Sequence, residues 1–291
     1  MAQTEALPID NTKKIKAGKN IKRGILNIFL GVYALLTLYP LIWLFISAFK
    51  SNNEIYAAPF ALPESLKWDN FVRAWEVSGM GKAMINSFIV TIVSLALLLV
   101  LGGALVAYAI SRFQFKFRNA IYALLLFGLL IPVHSTLVPL FTMMNEVKIL
   151  DTYLALILPY FSFELPIAVF LLAAFMGSFS KEMEEAAFID GCGYWGIFWK
   201  IMFPLSLPAL STVGIIGFLR FWNEFAFALV FINDSALRTI PLTLSVFSTG
   251  YSTDYSLTLA AMAISVIPVV VLFLIMQDRI MQGMVAGAVK G

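Results

Sequence analysis

Six almost uncharged stretches recur along this chain, near residues 25–49, 84–110, 119–144, 152–176, 208–232 and 257–278. Each offers roughly 20 or more largely apolar residues, enough to cross about 30 Å of hydrocarbon as an α-helix. Repeated at this density through 291 residues, they leave no room for a soluble domain of any size. The chain is 60% apolar and 13% charged, whereas a soluble domain is about half apolar and about a quarter charged. The expectation is an all-α membrane protein with six transmembrane helices. Residues 25–278 form the membrane domain, residues 1–24 an N-terminal tail and residues 279–291 a C-terminal tail.

Orientation follows from the cations. With the N-terminus placed inside, the inner segments carry 13 of the 20 Lys and Arg, the outer loops carry six, and Arg220 lies within a span. The positive-inside rule then puts both termini in the cytoplasm. Lys13, Lys14, Lys16, Lys19, Lys22 and Arg23 precede the first apolar run, which is too long for a secretory signal and lacks an A-x-A-like site. The outer loop 50–83, with Pro59, Pro63, Trp68 and Trp75, is expected to hold short interfacial helices. Pro132, Pro139, Pro159, Pro166 and Pro268 fall in or beside spans, where each removes a backbone donor and can kink its helix.

One cysteine, Cys192, and one histidine, His134, exclude an internal disulfide and a clustered Cys or His metal site. A hydrogen-bonded, structural role is expected for His134. Neither G-x-x-x-x-G-K-[ST], G-x-S-x-G nor H-E-x-x-H is present, so the chain is not expected to be an enzyme, a membrane protease and a lipase included. No strong internal repeat points to an inverted-repeat transporter.

One stretch departs from the apolar pattern: "EEAAFIDGCGYWGIFWKIMFPLSLPAL", Glu184 to Leu210. Ser180 can cap a helix starting at "KEMEEAAFID", and Glu182, Glu184 and Glu185 in its first turns complement the helix dipole. Asp190-Gly191 then stops it, because glycine readily takes the left-handed conformation that ends helices. A helix of about ten residues is roughly 15 Å long, too short and too polar to span. It belongs on the cytoplasmic side, in the loop 178–205. Such a helix suits mechanical coupling to a soluble partner, or it is a solvated loop helix that touches nothing.

Glu185-Ala186-Ala187 followed by Asp190-Gly191, with Phe198, Ile201, Pro204 and Pro208 behind, resembles the "EAA" signature of permease subunits in binding-protein-dependent ABC importers. "FWNEF" at Phe221–Phe225, "TIPLTLSVFSTGYSTDYSLTLAA" from Thr239 and "GMVAGAVKG" from Gly283 are similar to the carbohydrate branch, in particular the maltose-transporter-type inner subunit. The resemblance implies an importer-type permease in the bacterial cytoplasmic membrane. Its partners would be a second, homologous permease subunit, two cytoplasmic ATPase subunits and an extracytoplasmic solute-binding protein, with no nucleic acid. No cofactor is expected in this chain; ATP and Mg would sit in the ATPases. The short helix would be the coupling helix. Glu185 would pair with a basic residue of the ATPase, Ala186 and Ala187 would allow close packing, and Asp190-Gly191 would form the docking turn.

Ionisable residues at bilayer depth are costly and hence functional candidates. Glu164, Arg220 and Glu224 qualify, with Trp222 and Asn223 as neighbours that could present an aromatic ring and a polar group to a sugar. Arg220 and Glu224, four residues apart on one helical face, could instead neutralise each other. In the outer loop, the resemblance implies that Thr249, Gly250, Tyr251, Ser252, Thr253 and Asp254 reach toward the binding protein's sugar cleft. Transport of a polyol, glycerol phosphate or another small polar solute is the nearest alternative. A secondary transporter driven by an ion gradient is a rival from another class.

Overall fold

A computed structural model describes residues 11–76, 79–247 and 254–288, and among them the secondary structure is entirely helical. The first span lies in α1 (Asn11–Ser47). Two short helices follow in the loop 50–83, as its composition suggested: α2 (Asn52–Ala57), opened by a capping box between Ser51 and Glu54, and α3 (Asp69–Glu76). The second span is one continuous rod from Met80 to Arg112. It comprises α4 (Met80–Ala96), a π-helical turn (Leu97–Ala104) and α5 (Leu105–Arg112).

The third apolar run is broken rather than kinked. α6 (Arg118–Gly128) and the segment running from a 3₁₀ turn (Val133–Thr136) into α7 (Leu137–Glu146) meet at 97°. Pro132 lacks the N–H that a continuing helix needs and disfavours a helical residue 131. His134, expected to be hydrogen-bonded, instead stands exposed at this bend. Proline does not have that effect in α8 (Leu154–Gly177), which contains Pro159 and Pro166 and stays unbroken.

α9 (Glu182–Ile189), α10 (Tyr194–Ile197), a π turn (Phe198–Met202) and α11 (Phe203–Leu205) lead to α12 (Leu207–Trp222) through a 71° bend at Ser206. The expected fifth helix, 208–232, is not one helix: α12 ends at Trp222 and α13 (Ala226–Phe231) starts afresh. α14 (Ile240–Phe247) and α15 (Tyr255–Ala288) complete the chain. Among the described residues, four helices are long and apolar enough to cross a membrane, or up to six if each bent pair counts as one span.

α8 is the central post, packed by α4, α5, α6, α12 and α13, with Ala168, Val169, Leu172 and Met176 fully buried. Small residues bring the backbones together there. A Cβ on Gly102 would lie 2.5 Å from the Phe161 ring, so a larger residue there would have to push Phe161 and Leu165 of α8 aside. Asn86 on α4 ties that helix to the segment before α14 and to Tyr153. It donates to the Ala236 and Arg238 carbonyls at 3.0 and 2.9 Å and accepts from the Tyr153 hydroxyl at 2.7 Å. α1 behaves differently: every residue from Lys22 to Ile42 is exposed.

Candidate functional site

The short helix α9 is held at both ends. The Ser180 hydroxyl accepts from the Glu182 N–H at 3.2 Å, so the serine caps the helix from one residue further out than usual. At the other end Gly191 has φ +83°, its N–H donates to the Phe188 carbonyl at 3.0 Å, and the Cys192 N–H donates to the Ala187 carbonyl at 2.9 Å. These two bonds and the left-handed glycine make a Schellman motif, which satisfies the last carbonyls of so short a helix.

Glu185, Ala186, Asp190 and Gly191 lie on its exposed side, together with Ile189, which is 87% exposed. Ala187 corrects an expectation. It is buried at 7%, so its small size serves packing within this chain and leaves only Ala186 of the pair for a partner. Inward, Glu184 forms an ion pair of 2.7 Å with Arg112 at the end of α5. Burial pushes the Glu184 carboxyl's pKa up, and the charges of Arg112 and then Lys181 pull it partly back.

The residues flagged at membrane depth do come together, but in different pairs from the one the spacing suggested. Arg220 Nη1 donates to Glu164 Oε2 at 2.9 Å, bridging α12 to α8. Glu224 lies beyond the end of α12, where the four-residue helical repeat no longer operates. Its carboxylate accepts from the Phe227 and Ala228 N–H groups at 2.7 and 3.2 Å and from the Tyr160 hydroxyl at 2.8 Å, capping α13. The expected Arg220–Glu224 pair is therefore replaced by two separate contacts to α8.

Trp222 is buried, stacked on Phe218 at 5.4 Å and donating to the Ser265 carbonyl at 3.3 Å. It packs the site and is not open to a passing solute in this structure. What the cluster exposes is Arg220, its side chain 58% accessible, and Asn223, whose amide donates to the Leu219 carbonyl at 2.7 Å. Glu164, 4% accessible, stands behind Arg220.

A family model for "Binding-protein-dependent transport system inner membrane component" matches residues 99–285, which contain all of these residues. The chain belongs to this family. The permease is 40% identical over 264 residues to "Probable ABC transporter permease protein YurM" of Bacillus subtilis (strain 168), covering 91% of this chain and 87% of that protein. It is 35% identical over 251 residues to the diacetylchitobiose uptake system permease protein NgcG of Streptomyces coelicolor, covering 86% and 83% of the two chains. In fold, it matches a chain from the crystal structure of a bacterial ABC transporter that imports the acidic polysaccharide alginate, with a TM-score of 0.77 and 20% identity over 94% of this chain and 99% of that one. The fold is that of an importer-type permease.

Of the loop residues expected to reach the binding protein, Thr249, Gly250, Tyr251, Ser252 and Thr253 lie outside the described residues. Asp254 is described, and it is a fastener. Its carboxylate accepts from Asn52 Nδ2 at 3.0 Å, from the Ser256 hydroxyl at 2.7 Å and from the Leu257 N–H at 3.1 Å, and pairs with Arg73 at 2.7 Å. It thus caps α15 and ties it to α2 and α3. Burial works to raise this carboxyl's pKa, but the donors from Ser256, Leu257, Arg73 and Asn52 outweigh it and hold the pKa well below the usual range.

A depressed pKa stabilises the folded state above the ordinary carboxylate value of about 3.9 and loses that contribution as pH falls below it. Asp254→Asn is accordingly expected to cost about 1 kcal/mol at neutral pH, discounted because the pair is partly exposed. In thermal melts of the purified protein, the gap between wild type and variant should hold from pH 6 to about pH 4 and narrow progressively as the pH falls below that. A gap that stays constant below about pH 4 would show that the ionised carboxylate contributes nothing.

Proposed function

We propose that this permease forms part of the translocation path of an ATP-driven importer for a sugar or oligosaccharide delivered by an extracytoplasmic binding protein. It pairs with a second, homologous permease subunit, and two cytoplasmic ATPase subunits hold the ATP and Mg. Both termini face the cytoplasm. The observation that carries this reading is α9: a short helix, capped at one end and closed by Gly191 at the other, that presents Glu185, Ala186, Ile189 and Asp190 outward. A rigid exposed ridge between two membrane segments is what a soluble motor needs to push. The uptake of diacetylchitobiose by the system of one relative, and of alginate by a protein of like fold, supports a carbohydrate cargo.

In this scheme Arg220 and Asn223 present donors to solute hydroxyls, while Glu164 holds Arg220 from behind. The test begins with a tagged chain purified from its native membrane in mild detergent. A second permease and an ATPase are expected to co-purify. In proteoliposomes, uptake of labelled oligosaccharide is expected to require both internal ATP and external binding protein. Uptake of a polyol or of glycerol phosphate in place of sugars would move the cargo to that class. Uptake by this chain alone under an ion gradient would overturn the proposal.

A further inference from the structure

Arg112 ends the second span, and a topological signal of positive charge would leave such a residue in solvent. Its side chain is instead only 5% accessible, and its Nε lies 2.7 Å from Glu184 Oε1, on a side chain 13% accessible. Its Nη2 donates to the Phe179 carbonyl at 2.9 Å. One guanidinium therefore joins the end of α5 to both the lead-in and the first turn of α9. Rings close the same junction: Tyr108 meets Phe198 at 5.4 Å, Phe113 meets Tyr194 at 5.1 Å, and Tyr194 meets Phe188 of α9 at 4.9 Å.

The other end of α5 is built differently. It joins α4 through the π turn Leu97–Ala104, in which a Cβ on Gly103 would fall 2.5 Å from the Leu98 carbonyl oxygen. Such turns are wider than the α-helix and frequently mark functional positions.

We propose that Arg112 is a positioning residue for transport: by pairing with Glu184 and donating to the Phe179 carbonyl it fastens α9 to the end of α5, so that the two move as one body. The inference rests on reading α9 as the coupling helix. An exposed ion pair is too weak to serve as such a link. A buried one is costly to break, because either partner alone becomes an uncompensated charge. The guanidinium pairs its charge with Glu184 and at the same time donates from Nη2 to the Phe179 carbonyl, two roles that the single nitrogen of a lysine fills less readily.

The test uses the complete complex in proteoliposomes: this chain, its sister permease, the ATPases and the binding protein. Arg112→Ala and Glu184→Ala are each expected to lower the maximal uptake rate about tenfold, within the usual range of coupling between sites. The loaded binding protein's half-saturating concentration should stay unchanged, and its stimulation of ATP hydrolysis should fall in parallel. The double alanine variant should be no worse than the poorer single. The exchange Arg112→Glu with Glu184→Arg restores the ion pair but not the bond to the Phe179 carbonyl, so it should recover uptake above either single alanine variant without reaching wild type, as expected for residues coupled in a double-mutant cycle.

Should Arg112→Ala fail to assemble, Arg112→Lys carries the same comparison: it keeps the charge, loses the second acceptor, and should transport at an intermediate rate. Normal transport by the single variants overturns the proposal. So do losses that multiply in the double variant with no recovery in the exchange. A wild-type complex without ATP- and binding-protein-dependent uptake would instead overturn the functional reading itself.

Discussion

Arg220→Ala is expected to destabilise the permease by about 2–3 kcal/mol, while Glu164→Gln costs about 1 kcal/mol or less. The asymmetry comes from accessibility. Glu164 is 4% accessible and Arg220 58%, so removing the arginine strands a carboxylate in the packed interior against α12. Removing the carboxylate's charge leaves a cation that already meets solvent. The cost for Arg220→Ala is set below that of a fully buried pair, about 3–5 kcal/mol, because an accessible partner is screened. Apparent melting temperatures of the assembled complex check the ranking, and the variant carrying both substitutions should be more stable than Arg220→Ala alone. Equal losses for the two single variants would show that the pair does not depend on burial. Uptake offers a separate reading: if Arg220 also donates to solute hydroxyls, Arg220→Ala loses transport beyond its loss of folded protein.

The membrane helices were legible because a span is a local property: about 20 consecutive apolar residues suffice to identify it. Breaks were legible only where their cause is local too. Pro132 announces the 97° bend, and Gly191 announces the end of α9. Nothing in "FWNEF" breaks a helix by propensity. Its break depends on Glu224 turning to cap α13 under the Tyr160 hydroxyl, a contact made across 64 residues. The same limit misdirected the reading of Arg220 and Glu224, whose spacing promised a helical pair that the end of α12 removes. Arg112 and Glu184 could each be read locally, as a topological cation and as a helix-dipole complement. Their pairing needed the fold, as did the burial of Ala187 and the fastening role of Asp254. Spans and caps are written in neighbouring residues; the links between helices are not.

Gly191→Val is expected to abolish most coupled transport, while Gly191→Asn retains it. No atom lies within 4 Å of a Cβ built on this glycine, so side-chain volume is not the constraint. The constraint is the φ of +83°, at which a β-branched residue is strained by about 1–3 kcal/mol and asparagine much less. Relieving that strain means giving up the bonds from Gly191 to Phe188 and from Cys192 to Ala187, which unravels the last turn of α9 beside Ile189 and Asp190. Each 1.4 kcal/mol corresponds to about tenfold in a rate or population, so Gly191→Val should lower binding-protein-stimulated uptake by about tenfold or more. Gly191→Ala should fall between the two. Glu185→Ala should lose less than Gly191→Val, because one exposed charge is worth about 1 kcal/mol at most. Uptake and stimulated ATP hydrolysis, measured together in proteoliposomes, distinguish a turn from a contact. A decline that follows side-chain size, with asparagine as harmful as valine, would mean that the ATPase presses on this position directly and that backbone conformation is secondary. A decline that follows φ preference means that the left-handed turn holds α9 in shape for its partner.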